Sequence, residues 1–221
     1  MSVRYDTVVI GGGQAGLTIG YFLSKQNRSF VILDANERVG DAWRKRWASL
    51  RLFTPARYNG LPGLRFPGRA WDFPTKDEMA DYLETYAERF ALPIRTGVRV
   101  ERLSKENGTF VVSANGSRFE ADNVVVATGF YRIPKVPSFA AELDPAIVQV
   151  HSSEYVEPAQ LRDGRVLVVG VCNSGAEIAH ELAGTRDCVL AGKNAGQIPV
   201  RHGSRPARMF LRIFRFAQHH V

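Results

Sequence analysis

Cysteine is scarce: Cys172 and Cys188 are the only two in 221 residues, and they lack CxxC spacing. That excludes a disulfide framework and the dithiol chemistry of a thioredoxin-reductase type of oxidoreductase. It also leaves no plausible zinc site, and no metal is expected. Long apolar runs are missing, and none approaches the roughly 20 residues that span a bilayer. Met1 to Ile10 contains charged residues and no signal-peptide core, so a cytoplasmic location is expected. Acidic residues are outnumbered, 22 against 29 basic, for a net charge of +7. This balance suits either an anionic partner or an arginine-rich solvated surface. The arginines are scattered and carry no nucleic-acid signature, so no nucleic-acid partner is expected.

What is present is strand-turn-helix patterning. Val8-Val9-Ile10, followed by glycines, reads as a buried strand entering a turn. Ala15, Ile19, Phe22 and Leu23 recur at helical spacing, and Phe30 to Leu33 is a second buried strand ending at Asp34. A right-handed crossover makes these strands parallel. Residues 40–74 are irregular and rich in Trp, Arg, Pro and Gly, too long for an idle connection. Thr75 and Glu78 form a capping box. The helix it opens has an apolar face of Met79, Tyr82, Leu83, Tyr86, Ala87 and Phe90. Residues 98–121 predict a three-stranded antiparallel meander turned at Asn107-Gly108 and Asn115-Gly116. Val124 to Ala127 predicts a further strand that returns to the parallel sheet.

Pro134 and Pro137 punctuate a connector to a second unit: strand Val166 to Val169, turn Gly170 to Gly175, a helix face of Ile178, Ala179, Leu182 and Ala183, and strand Cys188 to Ala191. The same design near residues 7–34 and 165–192 suggests two dinucleotide sites. The fold class is therefore α/β. A Rossmann-like domain covers 1–130, with the meander inserted at 98–121. A connector and an incomplete second Rossmann domain cover 131–221.

Gly11-Gly12-Gly13-Gln14-Ala15-Gly16 fits GxGxxG between a strand and a helix, with an acid at Asp34; this context makes the fingerprint specific. Gly11 makes the tight turn, Gly13 admits a pyrophosphate and Gly16 lets helix and strand pack closely. Gln14 and Ala15 open the helix whose free N–H groups face the phosphates. Asp34 accepts from ribose hydroxyls and repels a 2′-phosphate, so the site suits FAD or NAD and not NADP.

From Val39-Gly40-Asp41-Ala42-Trp43, through Ser49-Leu50-Arg51-Leu52, to Leu61-Pro62-Gly63, the chain resembles the flavin-containing monooxygenases and related bacterial flavoproteins. The resemblance runs from residue 1 to about residue 205. It implies that Gly40, Trp43 and Arg51 lie beside the flavin, with Trp43 and Trp47 alternatively core aromatics. It brings Asn59 toward the reactive face, with a solvated turn residue as the alternative. Ala127-Thr128-Gly129 resembles the segment where such chains leave the FAD domain.

Gly170-Val171-Cys172-Asn173-Ser174-Gly175 resembles the family's second turn, where GxGNSG is usual. Cys172 replaces the middle glycine. A residue held there at positive φ is expected to cost roughly 1–2 kcal/mol more than glycine, and its side chain crowds a pyrophosphate, so weakened NADPH binding is expected. A reactive-thiol role for Cys172 is the alternative. Gly192-Lys193 stands where the first unit has its acid, and a cation suits a 2′-phosphate. Asn173 and Ser174 can bond phosphate or ribose. His151 and Tyr155 match the end of the family pattern FxGxxxHxxx(F/Y), while Pro145 and Ile147 occupy its F and G positions. By resemblance this segment helps place NADP; His151 and Asn59 are the candidate catalytic side chains, a lone histidine being otherwise structural.

The resemblance thus implies an FAD- and NADPH-dependent monooxygenase. A flavin C4a-hydroperoxide oxygenates a small organic substrate with molecular oxygen. No protein nucleophile is needed, which agrees with the lack of a Ser/His/Asp or paired-carboxylate arrangement. Family members continue past this chain's last residue, so a C-terminally truncated form is expected, and a non-catalytic FAD-binding remnant is the alternative. Between 205 and 221, Met209, Phe210, Ile213, Phe214 and Ala217 repeat at helical spacing among Arg208, Arg212 and Arg215. This reads as a family segment without its packing partners, in preference to a membrane-surface helix.

Overall fold

A computed structural model describes residues 2–129, 133–193, 196 and 203–211. The chain divides into two compact units, Met1–Leu161 and Arg162–Val221. In the first, β1 (Ser2–Ile10) and β2 (Phe30–Leu33) run parallel, Val8 opposite Val31 and Ile10 opposite Leu33. Val8-Val9-Ile10 of β1 and all of β2 are buried and apolar on both faces, as a sheet covered on both sides requires. Helix α1 (Gln14–Lys25) makes the crossover between them.

Within the irregular stretch a short helix, α2 (Asp41–Arg44), leads toward α3 (Lys76–Arg89). The capping box of α3 is complete: Glu78 N donates to Thr75 Oγ1 at 3.1 Å, and Thr75 N donates to Glu78 Oε2 at 2.7 Å. Met79, Tyr82, Leu83, Tyr86 and Ala87 are buried along its predicted face. Two of these tyrosines hold the irregular stretch in place. Tyr82 Oη accepts from Leu61 N and donates to Leu64 O at 2.8 Å, and Tyr86 Oη donates to Pro62 O at 2.7 Å. Buried hydroxyls satisfied in this way fix a loop that has little regular structure of its own.

After a two-residue β3 (Ile94–Arg95), the meander comprises β4 (Val100–Glu106), β5 (Thr109–Ala114) and β6 (Ser117–Val126). Both Asn-Gly turns have positive φ at each residue: 47° and 86° at Asn107-Gly108, 46° and 72° at Asn115-Gly116. The structure departs from the sequence reading at β6. The third meander strand and the expected separate strand at 124–127 are one continuous strand. It pairs antiparallel with β5, Ala121 opposite Phe110, and parallel with β1, Val124 opposite Val8. One six-stranded sheet results, ordered β3-β2-β1-β6-β5-β4. Asp122-Asn123 resembles a break, yet Asp122 takes an ion pair from Arg4 at 2.7 Å and Asn123 Nδ2 donates to Asp6 O at 3.2 Å.

The connector groups with the first unit, although the sequence reading counted it with the second half. Ala48 N donates to Val156 O at 2.7 Å, and Tyr155 is buried. In the second unit β7 (Val166–Val169), α4 (Asn173–Ala183) and β8 (Cys188–Ala191) repeat the opening motif, with β7 and β8 parallel and Val169 opposite Ala191. Residues 205–211 are helical, with Ala207 N donating to Ser204 Oγ at 3.3 Å. The rest of the predicted amphipathic segment, including Arg212, Ile213, Phe214, Arg215 and Ala217, lies outside the described residues. No described helix is long and apolar enough to cross a membrane.

Candidate functional site

The first turn is built by close approach on three sides. Gly11, at φ +110°, donates its N–H to Leu33 O at 2.8 Å, and a Cβ there would lie 2.4 Å from Ala127 O. That contact brings the Ala127-Thr128 backbone onto the turn; Gly129 follows at φ +72°. A Cβ on Gly16 would lie 1.9 Å from Gly11 O, so any side chain there would part α1 from the turn. Gly13 differs, since a Cβ on it would meet nothing within 4 Å among the described residues. Two fingerprint glycines are thus explained by protein packing and the third by open space. Gly13 is the N-cap of α1 and offers no side-chain cap, which leaves the first amides of the helix, over Gln14 and Ala15, free to face a ligand.

Asp34 is only 9% exposed, and its carboxylate first serves the turn. Its Oδ2 accepts from Gly12 N, and its Oδ1 accepts from Asn36 N at 2.7 Å and Asn36 Nδ2 at 2.9 Å. Trp43 Nε1 donates to Gln14 Oε1 at 3.4 Å, which sets the indole beside the head of α1. Trp47 is buried, and its Nε1 has no hydrogen-bond partner among the described residues.

Other sequence candidates have structural partners. Gly40 has φ +89° and a Cβ there would lie 2.5 Å from Ala80 O, so glycine is required for packing on α3. Arg51 Nη1 donates to Phe73 O at 3.0 Å. Asn59 Oδ1 accepts from Thr54 Oγ1 and its Nδ2 donates to Thr54 O at 2.9 Å, closing a small loop. His151 Nδ1 accepts from Ser153 N at 3.1 Å within a local turn. Arg44, which sequence reasoning missed, ties α2 to α3. It donates to Val39 O at 2.7 Å, Asp81 at 2.7 Å and Glu84 at 2.8 Å. Burial opposes its charge, but Asp81 and Glu84 outweigh that and raise the guanidinium above its ordinary value. An arginine three residues after Asp41, on a short helix, was the only signal in the sequence.

The second turn repeats the first. Gly170 also has φ +110°, its N–H donates to Ala191 O at 2.7 Å, and a Cβ on Gly175 would lie 1.9 Å from Gly170 O. Cys172 stands where Gly13 stands. The strain expected of it is absent: Cys172 has φ −92° and ψ −177°, against −82° and −170° at Gly13. The middle position is the helix N-cap, whose backbone is extended and open to any residue; only the first glycine needs positive φ. The steric effect remains, because the Cys172 side chain fills the direction that is open at Gly13. Asn173 and Ser174 begin α4, and Cys172 and Lys193 are exposed. Burial, and then the neighbouring Asp187, push the Cys188 thiol above its ordinary value.

A family model described as pyridine nucleotide-disulphide oxidoreductase matches residues 8–199. An uncharacterized CzcO-like oxidoreductase of Geobacillus kaustophilus is 48% identical over 186 residues, which cover 84% of this chain and 53% of that protein. Indole-3-pyruvate monooxygenase YUCCA1 of Oryza sativa is 31% identical over 204 residues, 90% of this chain and 46% of that protein. Among solved structures, a flavin-containing monooxygenase from Stenotrophomonas maltophilia matches with a TM-score of 0.79 at 37% identity, over 85% of this chain and 57% of its own. The chain spans about half the length of the curated relatives it matches.

Proposed function

The chain belongs to the pyridine nucleotide-disulphide oxidoreductase family, and from that premise we propose a flavin-dependent monooxygenase function, with FAD on the first turn and NADPH on the second. The observation that carries the reading is Gly13: open space above a glycine, at an uncapped helix end, between two glycines wedged against backbone. This is the shape a pyrophosphate needs. Gly11, Gly13, Gln14, Ala15 and Gly16 would hold the pyrophosphate and Asp34 the adenosine ribose. Trp43, Thr128 and Gly129 lie on the segments that border the turn. Gly40 and Arg51, which pack on Ala80 and bond Phe73 O, would lie on the flavin side of the same irregular segment.

On the second turn, Gly170, Asn173, Ser174 and Gly175 would receive NADPH and Lys193 its 2′-phosphate. When bound, the flavin supplies hydride acceptance and the activation of molecular oxygen toward a small organic substrate. The chain's own residues bind, orient and exclude water. Cys172 and Cys188 are both free thiols without CxxC spacing, so the reading follows the oxygen-using relatives and not the disulphide chemistry in the family's description.

Cys172 favours a second reading, an FAD-holding protein that uses NADPH poorly. Purification, a visible spectrum and anaerobic addition of NADPH separate these. Yellow protein that bleaches supports the first reading, and yellow protein that stays yellow supports the second. Colourless protein that takes up no added FAD sinks both.

A further inference from the structure

We propose that Asn36 is a positioning residue of the first dinucleotide site, one that limits Asp34 to a single ribose hydroxyl. The proposal rests on the reading that this turn holds FAD. A carboxylate offers about four lone-pair positions. Three are taken within the protein: Gly12 N occupies one on Oδ2, and Asn36 N and Nδ2 occupy both on Oδ1. One position on Oδ2 remains. A ribose carries two neighbouring hydroxyls, so only one of them can donate into Asp34.

Asn36 is held where it does this. Its carbonyl accepts from Gly97 N at 2.7 Å, and its side-chain Oδ1 accepts from Lys45 Nζ at 2.9 Å. The flanking backbone is pinned by Asp34 N donating to Arg95 O at 2.9 Å and Val98 N donating to Asp34 O at 2.8 Å. The amide cannot turn from Asp34 without giving up Lys45. Alanine at 36 leaves the backbone N–H on Asp34 in place and removes both Nδ2 and the Oδ1 that accepts from Lys45, so it frees one acceptor position on Asp34 Oδ1 and leaves the turn clamped through Gly12.

The test is competition against bound FAD by ADP, 2′-deoxy-ADP and 3′-deoxy-ADP, read by flavin fluorescence on the full chain. In the unmodified protein one deoxy analogue should bind about tenfold more weakly than ADP, the scale of one hydrogen bond to a charged acceptor, and the other within about twofold. In Asn36→Ala both analogues should be weakened, because Asp34 then accepts from both hydroxyls. A role confined to folding would leave the one-sided pattern intact. Lys45→Met keeps Nδ2 and should keep that pattern.

Equal sensitivity to both hydroxyls in the unmodified protein overturns the proposal, as does a one-sided pattern that survives Asn36→Ala. The first of these needs no variant to fold. FAD binding with a symmetric pattern removes only this proposal. Failure to bind FAD or ADP at all removes the flavin reading and this proposal with it.

Discussion

At Gly11 and at Gly170 the backbone turns through the same φ of +110°, and in both turns the later glycine closes to 1.9 Å of the earlier carbonyl when a Cβ is added. The two units differ in what surrounds that shared backbone. Gly11 is wedged against Ala127, whereas a Cβ on Gly170 would meet nothing within 4 Å among the described residues. The residue after the first glycine touches the residue after the second strand in each unit, but bulk is exchanged across the contact. Gly12 makes room for Asp34, with a Cβ there 2.9 Å from Oδ2; Gly192 makes room for Val171, with a Cβ there 2.9 Å from Cγ2. The backbone is therefore a property of the motif, and the two units differ in which side of one contact is small. The first unit gives the space to the carboxylate of Asp34, which the proposed function assigns to ribose; the second fills it with the side chain of Val171.

The largest effect that would break the likeness comes from alanine at the two first glycines. Gly170→Ala should cost about 1–2 kcal/mol for the positive φ alone. Gly11→Ala adds overpacking against Ala127 and should cost about 3 kcal/mol or more, a large share of ordinary stability. Urea unfolding of each variant measures this. Equal losses would mean that the Ala127 contact yields freely and that the first turn is no more tightly held than the second.

The next effect exchanges the middle residues. Cys172→Gly should tighten NADPH about tenfold, and Gly13→Cys should weaken FAD by a similar factor, as expected when a side chain takes the place of roughly one good phosphate–amide contact. Neither change carries backbone strain, since both positions have extended φ and ψ. Titrations of both cofactors against both variants check it. An NADPH affinity that does not move in Cys172→Gly would show that the thiol is accommodated and that the two turns differ elsewhere.

Much of this geometry was legible in the sequence, for identifiable reasons. β2, β7 and β8 fall on the predicted residues because short apolar runs ending in an acid or glycine have no competing period. The capping box and both Asn-Gly turns are local chemistry and fold locally. β6 was not legible as one strand, because Asp122-Asn123 looks like a break and its partner, Arg4, lies 118 residues away in sequence. Cys172 was misjudged because a glycine was assumed to mark positive φ, when at that position it marks only clearance. Gly40, Arg51 and Asn59 could be named from the resemblance, but their contacts to Ala80, Phe73 and Thr54 depend on how residues 40–74 are draped. Asn36 carried no sequence signal, since its role appears only when the acceptors of Asp34 are counted.

The smallest effect sharpens the exchange of bulk itself. Gly192→Ala places a Cβ 2.9 Å from Val171 Cγ2 and 3.2 Å from Val171 N, at a φ of +153°. Val171→Ala removes the methyl but neither the backbone nitrogen nor the dihedral strain. A double-mutant cycle should therefore return a coupling of about 0.5 kcal/mol, less than the full cost of the alanine. The matching cycle in the first unit has no such relief, because shrinking Asp34 to spare a side chain at Gly12 also removes the carboxylate that holds Gly12 N and Asn36. Coupling in the second unit would make Val171 and Gly192 an energetic pair like Gly12 and Asp34. Zero coupling would reduce the likeness to shape and leave the absence of an acid at 192 to the dihedral alone.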